Sequence, residues 1–351
     1  MRPYTPESRY DTHRPHPSAW QPTSTWKPPA PKRERGLWIH IVLFAATLGT
    51  TAMTGAYSAG VDPLDDPWSL RMGLSYALPL MSILLIHELG HYFVAKYHRV
   101  RASLPYFLPA PPVISFGTFG AFIRMKSPPT DRRTLFDVGA AGPWAGLLAA
   151  IPAVIVGLRL SEVRPLGMDE GGMVLGDSLL FTFLSRLAIG TAPSEATILL
   201  HPLALAGWFG LFVTFFNLMP ASQLDGGHVA YALFGRAQRV VARLCLAVIA
   251  VLAIYAWTGW LVFLVLISIV GVDHPPTFDS ITPLNPWRRL AGWLTIGLFA
   301  VTFMPAPLSF QEPSAVFEGE KIEAAWHPPA RSRTRFVVPF RASVKRNGIP
   351  S

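Results

Sequence analysis

The feature that most limits what this chain can become is the recurrence of apolar runs about as long as a bilayer is thick. A membrane-crossing helix needs roughly 20 mostly apolar residues. Runs of that kind lie at 37–57, 72–97, 135–158, 199–219 and 244–270, with a shorter one at 290–304. Composition agrees, since the chain is 51% hydrophobic and only 15% charged, whereas soluble domains carry about 25% charged residues. The expected fold class is an all-α polytopic membrane protein with six or seven transmembrane helices. A short β-like re-entrant or interfacial segment accompanies them.

Residues 1–36 are rich in Pro, Arg, Ser and Thr without a periodic apolar face, so they are expected to form a disordered cytoplasmic tail. The transmembrane domain is expected over 37–306, followed by a basic, flexible tail at 307–351. Orientation follows from the basic residues beside the spans. Lys32, Arg33 and Arg35 precede the first span, and Lys96, Arg99 and Arg101 follow the second. Asp62, Asp65 and Asp66 lie between the two spans. Both chain segments that carry the basic residues are therefore placed in the cytoplasm.

The stretch 102–135 holds Pro105, Pro109, Pro111, Pro112, Pro128 and Pro129, which a spanning helix does not tolerate. Within it, Gly117–Met125 (GTFGAFIRM) reads as a short strand or hairpin at the membrane face. Thr258-Gly259 interrupts the run 244–270, which is either one long helix or a helical hairpin. A single helix would put the basic C-terminal tail in the cytoplasm, as the charge rule favours.

The formal net charge of +9 lies beside apolar segments and in the tails. That placement fits orientation and contact with anionic lipid. No basic stripe is interleaved with stacking aromatics, so no nucleic-acid partner is expected. The single cysteine, Cys245, excludes an internal disulfide and a cysteine-based metal site.

The second span contains His87-Glu88-Leu89-Gly90-His91. Residues four apart share one face of a helix, so both imidazoles can reach one metal ion while Glu88 reaches a water beside it. The surrounding SILLIHELGHYFVA is otherwise strongly apolar. An ionisable side chain at mid-membrane costs on the order of 3 kcal/mol, and such residues mark function. A bound zinc offsets that cost and makes hydroxide available near neutral pH, with Glu88 moving the proton. Two histidines leave a third ligand to find. Asp225 follows the span 199–219, which returns to the side of His91, and Pro220 and Gly226-Gly227 let the backbone turn it inward. His228 ranks below it as an alternative.

HELGH inside a span, followed by NLMPASQLDGG at Asn217–Gly227, resembles the site-2 protease family of intramembrane zinc metalloproteases. GTFGAFIRMKSPP, GAAGPWAGLL and HPLALAGWFGLFVTFFNLMP resemble a branch of that family without a PDZ domain, and the likeness covers about residues 70–275. The resemblance implies one Zn2+ per chain held by His87, His91 and Asp225, with Glu88 as catalytic acid/base. It also implies that Asn217 helps hold the substrate or the oxyanion. Many members of the family it resembles carry an asparagine in the third span where this chain has Gly146, within Gly142-Pro143-Trp144-Ala145-Gly146. The pair of glycines is read here as serving close helix packing.

The expected function is hydrolysis of a peptide bond in membrane-anchored protein substrates. The Gly117–Met125 strand is a candidate to pair with the unwound substrate by β-augmentation. The alternative is a non-hydrolytic zinc-binding membrane protein, either a transporter or a silent protease homologue. The expected location is a bacterial inner membrane.

Overall fold

The computed structural model describes residues 36–112, 116–165, 172–190, 196–221, 223–272, 274–275, 277, 279, 282–311 and 335–339. The expected tail at 1–36 therefore lies outside the described residues up to 35.

The long apolar runs are helices, as their length requires. α1 spans Leu37–Ser58, α2 spans Leu70–Tyr97 and α3 spans Arg132–Arg159. Asp131 starts α3 by accepting from the backbone N–H groups of Arg133 and Thr134, the usual way to satisfy orphan donors at a helix start. α5 covers Pro202–Asn217, α6 Asp225–Phe234, α7 Gln238–Tyr255, α8 Trp260–Val270 and α9 Pro286–Thr302, while the shorter α4 (Leu179–Ile189) lies between α3 and α5. Among the described residues four helical segments are long and apolar enough to cross a membrane: 37–58, 67–97, 132–159 and 225–255. The runs at 199–219 and 290–304 are present as α5 and α9, but with 16 and 17 residues they are shorter. The run 244–270 is broken between Tyr255 and Trp260, and α7 and α8 pack against each other. The interrupted reading is the one the chain adopts.

α3 is the central helix. α2, α5 and α6 pack against it, and its buried face includes Val138, Leu147, Ala150, Val154 and Leu158.

Between α2 and α3 the proline-rich stretch forms a hairpin. β1 (Tyr106–Pro109) pairs antiparallel with β2 (Thr118–Phe122), inside the stretch where the sequence predicts a strand. Helices on two sides hold it. Thr50 donates to the Gly117 carbonyl at 2.6 Å, and Tyr76 donates to the Phe116 carbonyl at 3.1 Å. β2 has a strand neighbour on one edge only, among the described residues.

The expected all-α architecture needs correction. β3 (Glu162–Pro165), β4 (Gly172–Leu175), β5 (Ala196–Leu199), β6 (Leu308–Gln311) and β7 (Arg335–Pro339) form one sheet in the order β3-β5-β7-β4-β6. The segment from 307 on, expected to be flexible, supplies two of these strands. β7 sits in the middle, parallel to β5 and antiparallel to β4, with Phe336 and Val338 buried. Four- and five-residue strands carry too little alternation to be read alone, and these are stabilised by partners remote in sequence. The sheet joins the connection after α3 to the segment after α9, so both lie at the same end of the bundle. Contrary to the orientation that the charge rule favours, the described part of the C-terminal tail is therefore at the end where α3 finishes, away from its start beside the end of α2.

Candidate metal centre

α2 puts His87 and His91 on one face toward α3 and α6, and both rings are buried, 2% and 5% exposed. Asp225 is the first residue of α6. Its Oδ2 lies 3.3 Å from His87 Nε2 and 3.2 Å from His91 Nε2, and the two Nε2 atoms are 3.2 Å apart. Three donor atoms thus form a nearly equilateral triangle. Zinc–nitrogen and zinc–oxygen bonds are about 2.0–2.1 Å, and at tetrahedral angles they place neighbouring donors about 3.3 Å apart. The donor set therefore fits one zinc ion in both chemistry and spacing, and it is the metal-binding group that stands out among the described residues.

The ligand orientation is built in. His91 Nδ1 donates to the Val138 carbonyl at 2.7 Å, which leaves Nε2 bare for a metal, the usual outer support of a ligating histidine. The close approach of α3 depends on two glycines. A Cβ on Gly142 would stand 2.0 Å from His91 Nε2, and one on Gly146 would stand 2.9 Å from His87 Nδ1. The close packing expected of these glycines is thus packing against the ligand rings themselves. Asp225 is held in register because the Arg132 guanidinium, at the start of α3, donates from Nε to the Ala232 carbonyl at 3.0 Å and from Nη2 to that of Leu233 at 3.2 Å, near the end of α6. One residue before Val138, Asp137 accepts two hydrogen bonds from Arg288 of α9, at 2.8 and 2.7 Å. It also lies 2.9 Å from His98 Nε2 at the end of α2.

Glu88 is buried beside the triangle, 5% exposed, and Ile123, just past β2, lines the same cavity. Asn217, the last residue of α5, brings Nδ2 to 3.2 Å from His87 Nε2. A cavity of about 400 Å³ is lined by His87, Glu88, His91, Asn217, Asp225 and His228 together with residues 121–125. The five residues singled out from the sequence therefore meet at one place. His228 reaches the same cavity but is not one of the three converging donors. The sequence reading missed Val138, whose backbone carbonyl leaves no signature, and His274, a lone histidine in a proline-rich connection.

The profile described as "Peptidase family M50" matches residues 75–259, which include every residue of the triangle. The probable zinc metalloprotease EGY1, chloroplastic, of Arabidopsis thaliana is 32% identical over 296 residues, covering 77% of this chain and 54% of that protein. The protein of the same description from Oryza sativa subsp. japonica is 32% identical over 247 residues, 67% of this chain and 41% of its own length. The probable zinc metalloprotease EGY2, chloroplastic, of Arabidopsis thaliana is 35% identical over 168 residues, 48% and 30% respectively. The chain thus spans about half, or less, of the length of these relatives.

Proposed function

The chain belongs to peptidase family M50, and from that premise we propose that it is an integral membrane zinc metalloendopeptidase that hydrolyses a peptide bond of membrane-anchored protein substrates. The observation that carries the reading is the triangle of His87 Nε2, His91 Nε2 and Asp225 Oδ2, with edges of 3.2–3.3 Å, buried beside a glutamate. When bound there, zinc supplies an acidified water and Lewis-acid polarisation of a carbonyl.

The protein's own groups do the rest. Glu88 takes a proton from the attacking water on its carboxylate and delivers it to the leaving nitrogen. Asn217 directs its amide N–H groups toward the ligand side of the cavity, where a donor stabilises negative charge developing on the carbonyl oxygen. β2 borders the cavity and has a strand neighbour on one edge only, among the described residues, which suits an extended peptide that has lost its helical hydrogen bonds. Ala121, Phe122 and Ile123, at the end of that strand, line the same cavity as Glu88. In the bilayer an intact helix protects its peptide bonds, so local unwinding has to precede cleavage.

Lys96, Arg99 and Arg101 at the end of α2 favour a cavity that opens on the cytoplasmic side. A bacterial inner membrane, expected from the sequence, has no support from the relatives, whose names place them in the chloroplast. That location is not carried into the proposal.

The test is cleavage of a single-span reporter in detergent or vesicles by the wild type and by Glu88→Gln, with zinc measured in both. The expected result is stoichiometric zinc in each and cleavage by the wild type only. Equal cleavage by the two would exclude Glu88 as the proton carrier. Zinc without cleavage by either would instead favour the non-hydrolytic alternative.

A further inference from the structure

We propose that His228 is a fixed hydrogen-bond acceptor of the cavity, held in one tautomer by His274, and that it receives a backbone N–H of the unwound peptide. This rests on the proteolytic reading above. His228 stands about one helical turn beyond Asp225 on α6 and lines the same cavity. Its Nδ1 lies 2.7 Å from Nε2 of His274. His274 in turn holds its Nδ1 2.6 Å from the Pro275 carbonyl oxygen. Tyr231, on α6, stacks on the His274 ring with centroids 4.7 Å apart.

These contacts assign the protons in order. A carbonyl oxygen only accepts, so His274 Nδ1 carries a hydrogen. In a neutral imidazole the other nitrogen is then an acceptor, so His228 Nδ1 must be the donor of the pair. His228 Nε2 is left bare. Burial holds the pKa of His274 below the usual histidine range, against the opposing pull of its bond to Pro275, and this keeps the ring neutral.

With Nδ1 engaged, Nε2 is what His228 offers the cavity, and no protein donor pairs with it among the described residues. His87, His91 and Asp225 are taken as ligands, Glu88 as proton carrier, and Asn217 as donor. An unwound peptide brings N–H groups that have lost their helical acceptors, and leaving one unpaired once the peptide is buried is costly. A bare imidazole nitrogen supplies such an acceptor.

The test uses the full chain and reads zinc content, reporter binding and reporter cleavage separately. Binding is measured in the Glu88→Gln background, so that it does not depend on turnover. His228→Phe removes the acceptor and keeps a ring. It should retain zinc and weaken reporter binding about tenfold, the scale of one lost hydrogen bond. His274→Gln can still accept from His228 and donate to the Pro275 carbonyl, so it should bind nearly as the wild type does. His274→Leu cannot, and should fall as far as His228→Phe. If His228→Phe does not fold, the two His274 variants carry the test, because they leave the His228 ring in place. Loss of zinc from a folded His228→Phe would overturn the proposal, as would unchanged binding or equal losses in His274→Gln and His274→Leu. A wild type that binds the reporter without cutting it would sink the proteolytic reading, while the binding measurements still judge this one.

Discussion

At one end of the bundle α2, α3 and α6 meet through individual side-chain atoms, and at the other end five short strands meet through backbone hydrogen bonds. The metal end has no slack. Gly142 and Gly146 bring α3 within touching distance of both histidine rings, and a single backbone carbonyl, that of Val138, fixes which nitrogen of His91 faces the metal. The sheet end asks less of each residue. β7 is held by ladders to β4 and β5, which any non-proline residue can make, and its side chains need only be apolar where they are buried. A change at the first end should therefore be read out in zinc and chemistry, and a change at the second in stability.

The largest effect on zinc expected from this contrast is that of Gly142→Ala. Its added methyl would sit 2.0 Å from His91 Nε2, far inside van der Waals contact, and α3 is packed on its other faces by α5 and α6. The ring must leave its position. Zinc affinity should fall by roughly a hundredfold, the upper range for disturbing the support of a ligand, and reporter cleavage should fall with it. Isothermal titration of metal-stripped protein measures this. Retained zinc affinity would mean that α3 can back away, and the contrast between the ends would lose its basis.

The matching change at the sheet end is Phe336→Ala. Phe336 is buried and meets Phe181 of α4 edge-on at 4.8 Å. Truncating a buried phenylalanine costs about 3–5 kcal/mol, so thermal or denaturant unfolding in detergent should shift clearly downward. Zinc stoichiometry and affinity should stay at the wild-type values. A Phe336→Ala protein that keeps its fold but loses zinc would show that the sheet positions the metal site through α5, and would break the comparison.

The same contrast explains what could be read from the sequence. HELGH is legible because helical periodicity alone sets two histidines on one face, and an apolar surrounding leaves them no cheaper role. Asp225 is legible because the glycines and proline around it announce a turn after an apolar run. The two helices that carry most of the site lie within a few residues of their apolar runs, 72–97 observed as Leu70–Tyr97 and 135–158 as Arg132–Arg159, whereas α6 at Asp225–Phe234 has no such run of its own. The sheet was not legible. Its central strand, Arg335–Pro339, owes its conformation to Ala196–Leu199 and Gly172–Leu175, and nothing local marks it. Gly142 and Gly146 were legible as small residues four apart, but not as neighbours of His91 and His87. That contact belongs to the way two helices cross, which a single sequence does not display. His274 escaped for the same reason, since its role exists only once α6 lies beside it.

The smallest effect expected is at Asp137, and it shows how far the specificity of the metal end extends. Arg288 reaches Asp137 with two donors, at 2.8 and 2.7 Å, and His98 lies 2.9 Å away. Three helices, α2, α3 and α9, are thus joined one residue from the carbonyl that orients His91. The pair is partly exposed, with side chains 30% and 19% accessible, so its contribution is screened and amounts to about 1 kcal/mol. Arg288→Lys keeps the charge but loses the planar fork that grips both carboxylate oxygens. Stability should drop by less than about 1 kcal/mol. Zinc affinity should drop too, but by less than about tenfold, because Val138 shifts with the helix that Asp137 anchors. A double-mutant cycle with Asp137→Asn, read in zinc affinity, distinguishes the two kinds of region. Coupling between the two changes in zinc affinity would extend the metal end's demand for fixed geometry to the first turns of α3 and α9. Coupling in stability alone would confine that demand to atoms that touch the ligands, and would leave Asp137 with the generic role that residues have at the sheet.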